Sequence, residues 1–153
     1  MIFDRTANDV ESARQIISQK VQKFIELSSE EVEKLERGCV TINTLNRIEN
    51  AEKELGELLY AMRYCVFNLS NREWTYEDIF DDNNLSRIVE NLTLIKNAFF
   101  VYSDTTTTPS KRYHYENFNA IEKNIVEILS IIDDVKSKYM QCGEFQCGEV
   151  NNK

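Results

Sequence analysis

At 153 residues, 42% hydrophobic and 29% charged, the chain suffices for about one domain with a sizeable core and is too apolar for a disordered segment. Four Gly and one Pro leave little material for an all-β or loop-dominated fold. A net charge of −8, with 7 acids against 3 bases in residues 65–109, offers nothing to neutralise phosphates and argues against a nucleic-acid partner. No run of about 18 apolar residues is present, so no membrane span is expected. Met1–Arg5 lacks a basic stretch followed by an apolar one, so no secretory leader is expected and synthesis in the cytoplasm is.

From the N-terminus, Thr6 with Asp9 forms a capping-box pattern, Asp standing for the usual Glu. Val10, Ala13, Ile17, Val21 and Phe24 then give a narrow apolar seam, predicting a helix over 6–27. Ser28 with Glu31 opens a second helix over 29–37, which Gly38 can end in a left-handed conformation. Asn43 or Thr41 can cap a third over 43–63, and residues 65–69 read as coil. Asp81 and Asp82 suit the N-terminus of a fourth over 84–102. Four successive Thr and Pro109 mark a loop before a fifth helix over 115–139.

The stretch Leu45-Asn46-Arg47-Ile48-Glu49-Asn50 recurs in weaker form as Leu85-Ser86-Arg87-Ile88-Val89-Glu90 and Phe118-Asn119-Ala120-Ile121-Glu122-Lys123. The copies start 40 and 33 residues apart, too unevenly for a solenoid. Each begins an apolar stripe: Leu45, Ile48, Leu55; Leu85, Ile88, Leu92, Ile95; Phe118, Ile121, Ile125, Ile128. Arg47, Glu49, Glu122 and Lys123 are expected off that stripe. The expected architecture is all-α: a bundle of four to five helices over residues 1–140 and an extended arm over 141–153.

Chemistry-bearing patterns are sparse. Cys142 and Cys147 have four residues between them, at the edge of half a zinc site, but Cys39, Cys65 and His114 supply no second close pair, so no metal or other cofactor is expected. His114, between Tyr113 and Tyr115, has no orienting third group for a catalytic role, and no catalytic residue is assigned. Glu77, Asp78, Asp81 and Asp82 lack the register of a calcium loop and read as helix caps. Trp74 reads first as a core anchor for its connection and second as an interface anchor. The arm Cys142, Gly143, Glu144, Phe145, Gln146, Cys147, Gly148, Glu149 and Val150 repeats Cys-Gly-Glu and is poor helix material. An extended arm can add a strand to a sheet edge, with Phe145 and Val150 as anchors. These arm residues and Trp74 are the candidate partner contacts.

Several stretches, taken in order, resemble one family. Asp4-Arg5-Thr6-Ala7-Asn8-Asp9-Val10 is similar to the DRTxxDV opening of small proteins encoded among tail genes of Gram-positive prophages. Thr44–Glu49 resembles the DLNRVE-like motif that follows, Trp74–Ile79 the tryptophan segment, Phe118–Glu122 the AN-IE helix, and Gly143-Glu144 with Gly148-Glu149 the paired GE arm. The family's KGAYN is reduced here to Gly38–Asn43, and cysteines enter the arm. The resemblance implies a non-enzymatic structural component of a phage tail or phage-tail-like particle, in the baseplate or fibre region, with other tail proteins and further copies of itself as partners. A cytosolic oligomeric helical adaptor is the alternative from another class, and a small metal-dependent protein a third.

Overall fold

A computed structural model describes residues 1–64, 68–99 and 114–141 of the chain. Its regular elements are all helical: α1 (Ala7–Gln19), a 3₁₀ turn (Val21–Lys23), α2 (Ser29–Gly38), α3 (Ile42–Ala61), α4 (Asp82–Phe99) and α5 (Tyr115–Gln141). The expected all-α class holds, with no strand among the described residues. None of these helices is long and apolar enough to cross a membrane.

The helix starts follow the capping chemistry. Thr6 and Ser28 each complete a capping box, with Asp9 and Glu31 reaching back to the cap backbone. Thr41, rather than Asn43, caps α3 by accepting from the Thr44 amide at 3.2 Å. Asp81 accepts from the Asn84 amide at 2.9 Å, so α4 begins at Asp82 and not at Asn84. The fourth helix as read from sequence ran to 102; residues 100–102 lie outside the described residues.

The helix ends needed correction. The predicted helix over 6–27 stops at Gln19, where Lys20 leaves helical geometry (φ −120°), and the 3₁₀ turn that follows is closed by left-handed Phe24 (φ 55°) with Ile25 donating back to the Lys20 carbonyl at 3.0 Å. The third helix stops at Ala61 by the same device: Arg63 takes φ 68°, and Tyr64 donates to the Leu59 carbonyl at 2.9 Å. Both are Schellman closures with a side chain where glycine is usual. Gly38, expected to be left-handed, is instead the last residue of α2, followed by extended Cys39. Its role is space: a Cβ there would collide with the Asp9 carbonyl oxygen and come within 2.5 Å of the Ala13 Cβ. The missing side chain lets α1 and α2 touch.

Burial divides the chain unevenly. Every residue of the three predicted stripes is buried, extended by Leu59 on α3 and Ile132 on α5. These stripes face one another, so α3, α4 and α5 share one core. At roughly 1.5–3 kcal/mol per large aliphatic side chain removed from water, that core dominates stability. The α1–α2 hairpin contributes one fully buried apolar side chain, Ala13, and α2 none. It depends instead on its caps, on Lys20 Nζ to Glu31 Oε2 at 2.7 Å, and on Arg37 facing Asp4 and Asp9.

Candidate functional site: clips, cavity and apolar surface

Two of the charged positions expected off the stripe, Glu49 and Glu122, lie on it, whereas Lys123 is exposed as expected. Glu49 is 1% exposed and Glu122 is fully buried, each tying elements together. The spacing explains it: Glu49 follows Leu45 by four residues and Glu122 follows Phe118 by four, so each shares its stripe's face.

Glu49 accepts from both terminal nitrogens of Arg87 on α4, from Trp74 Nε1 at 3.1 Å and from the Arg72 amide at 3.3 Å. On the preceding turn, Asn46 closes a two-way clamp on the Trp74 backbone, accepting from its N–H at 2.7 Å and donating to its carbonyl at 3.1 Å. Trp74 is buried, packs edge-on to Phe80 at 5.3 Å between centroids, and has the Arg72 guanidinium over its ring at 4.4 Å. The first of its two sequence readings, the core anchor, matches this position. Its side chain faces the fold.

Glu122 gathers the N-terminus. Its Oε1 accepts from Arg47 Nε at 3.0 Å and Nη2 at 2.7 Å, and its Oε2 from Arg5 Nη1 at 2.6 Å and the Ile2 amide at 3.0 Å. Asn119, one turn earlier, accepts from the Arg5 amide at 3.1 Å and donates to the Arg5 carbonyl at 2.8 Å. Arg5 thus sits buried between the first segment and α5, with one guanidinium nitrogen, Nη2, buried and lacking an acceptor. Nothing in the local sequence signals this; it depends on residues 114 and 117 positions apart.

Glu52, next inward on α3, is also fully buried, with Asn91 Nδ2 donating to its Oε2 at 2.9 Å and its Oε1 unpartnered. Burial pushes its carboxyl well above the usual range, and the neighbouring Glu49 adds to that. Glu52 is thus a buried carboxyl inside an α3–α4 seam.

Three features face outward. One is a cavity of about 460 Å³ lined by Arg5, Val10, Cys39, His114 and Phe118 among others, between the first segment, the α2–α3 turn and the start of α5. Cys39 is half-buried there, and burial raises its thiol pKa. His114 is half-exposed, lies against Tyr115 and has Nδ1 3.4 Å from Glu116. The second is the hairpin tip, where Phe24 is 97% exposed beside exposed Val21 and Ile25. The third is the loop after Trp74, with Tyr76 96% and Ile79 83% exposed.

Two acids of the run before α4, Asp78 and Asp81, are committed to backbone. Asp78 accepts from the Thr75 amide and hydroxyl at 2.7 and 2.9 Å, and Asp81 accepts from Asn84. Both carboxyls sit below their ordinary range because of those backbone bonds. Among the described residues no group of three His, Cys, Asp or Glu is arranged to hold a metal ion. The arm candidates Cys142 to Val150 lie outside the described residues. No protein-family model, curated protein or solved structure matches the chain.

Proposed function

We propose that the chain is a non-enzymatic structural component of a phage tail or phage-tail-like particle, assembled in the bacterial cytoplasm and docked to neighbouring subunits by its apolar surface and its C-terminal arm. The observation that carries this reading is where the large side chains are left. Phe24, Tyr76 and Ile79 are almost entirely exposed in a chain that buries every residue of its three repeated stripes. Exposed apolar groups on a folded chain mark surfaces that another molecule covers.

The polar groups support the same reading from the other side. Glu49, Glu122, Arg5, Arg47 and Arg87 close on one another as internal clips. The repeated stretch therefore serves to lock helices and the N-terminal segment into one rigid docking body, and the resemblance in sequence supplies the particle. Deleting residues 141–153 is expected to leave the helical circular dichroism signal intact while abolishing recovery of the protein in purified particles. Normal particle loading by the shortened chain would remove the arm from the reading.

A further inference from the structure

The α1–α2 hairpin carries a knob at one end and a recess at the other. Gly38 lies against Asp9 and Ala13, and Lys20 pairs with Glu31 at 2.7 Å, so the two helices run antiparallel with the turn over residues 20–28 at one end. At that turn Phe24 is 97% exposed, with Val21 and Ile25 exposed beside it. Phe24 also holds φ 55°, a left-handed backbone that disfavours any residue bearing a β-carbon. A strained backbone that holds an aromatic ring in water marks a surface that another molecule covers.

The recess is the cavity of about 460 Å³ at the opposite end, between the first turns of α1, the α2–α3 turn and the start of α5. Ala7, Val10, Val40 and Phe118 give it apolar wall, and Val40 is exposed there. A cavity of about 150 Å³ is enough to hold a benzene ring, so this one has room for the Phe24 ring and for Ile25 beside it. We propose that Phe24 of one copy of this chain inserts into this cavity on a second copy. Charge favours that occupant. Lys23 and Glu26 flank Phe24, both exposed and without an ion pair among the described residues. The cavity is rimmed by Glu11 and Arg14, exposed and only loosely paired with each other at 3.9 Å. The knob thus offers Lys23 to Glu11 and Glu26 to Arg14.

Reach makes the contact intermolecular. Val10 to Gln19 is nine residues of helix, about 14 Å, and the turn lies beyond it, held at that end by Lys20 and Glu31. The contact joins unlike surfaces, so copies linked this way close into a ring or run on as a filament. One aromatic side chain and its two neighbours cover much less than the roughly 1,200–2,000 Å² of a standard stable interface. The single contact is therefore weak, and it gains strength where many copies are held together. This inference rests on the apolar-docking part of the function proposed above, and gives Phe24 its receptor.

The test pairs a full chain without the knob, F24G, with a full chain whose recess carries a charge, V40E. Far-UV circular dichroism establishes that each is folded. Sedimentation equilibrium follows wild type, each variant alone and their equimolar mixture from about 10 μM to about 1 mM. The expected result is wild-type protein that grows beyond a dimer with concentration, and variants that alone associate at least about tenfold more weakly. The mixture should form a 1:1 complex at wild-type strength, because V40E keeps its knob and F24G keeps its recess. A wild-type chain that stays monomeric, either variant associating alone as wild type does, or a mixture without the 1:1 complex would overturn it. If F24G is lost from particles while the mixture forms no complex, Phe24 docks on another subunit: this inference fails and the function stands. A 1:1 complex from a protein that never enters particles reverses the two.

Discussion

Replacing Glu122 with Gln tests the clip at its centre. The change keeps shape and volume but removes the carboxylate that Arg5 and Arg47 share. The Gln amide presents one oxygen and one NH₂, so at least one guanidinium now faces a donor in a place where Glu122 is fully buried. Four hydrogen bonds within 2.6 to 3.0 Å are affected, including that from the Ile2 amide. Breaking a buried pair by removing one partner costs about 3–5 kcal/mol. Arg47 is 29% exposed at its side chain and recovers some hydration, which places the expected loss near the lower end, about 3 kcal/mol. Urea denaturation monitored at 222 nm by circular dichroism and, separately, by Trp74 fluorescence measures it. Amide exchange should show Ile2–Arg5 released first, before the α3–α5 core opens. A loss below about 1 kcal/mol would mean that the pairs are hydrated in solution and that the N-terminal segment is not held by them.

Further outcomes follow from individual contacts. Gly38→Ala should destabilise by about 1–3 kcal/mol, because the new Cβ meets the Asp9 backbone carbonyl, whereas Gly56→Ala should be near neutral, since its Cβ meets only the movable end of Leu69 and gains helix propensity; chemical denaturation of the two variants side by side checks the contrast. Phe24→Gly and Arg63→Gly should each stabilise by about 1 kcal/mol by relieving a left-handed side-chain residue, read as a raised urea midpoint. Glu52 should weaken the fold as pH rises. Its carboxyl is raised in the folded chain, so the unfolded chain ionises first, and stability falls from about pH 4.5 up to the folded value by at most about 1.4 kcal/mol per pH unit. Glu52→Gln should flatten that decline and stabilise at neutral pH, and a wild-type stability curve that rises over the same range would contradict it.

Much of the fold was legible because helices announce themselves locally. The stripes from Leu45, Leu85 and Phe118 and the boxes at Thr6 and Ser28 are repeated at short spacing, and each proved to lie where its period put it. Helix ends were harder. Val21 and Phe24 continue the seam of α1 in period but have nothing to pack against, and the chain turns through a left-handed Phe that no propensity favours. Glu49 and Glu122 were misplaced because the stripe was counted from apolar residues alone, although a position four residues after Leu45 or Phe118 faces the same way. The cavity was not legible at all. Arg5, Cys39 and His114 come together only through packing of the first segment against α5.

The central claim, that this is a docking body within a larger particle, is tested most directly by fractionating a producing culture on a density gradient and quantifying the protein in each fraction. The expected result is co-sedimentation with assembled tails at a fixed ratio to the other tail proteins, lost when residues 141–153 are removed. A protein found wholly in the light fractions, with particles complete without it, would contradict the claim.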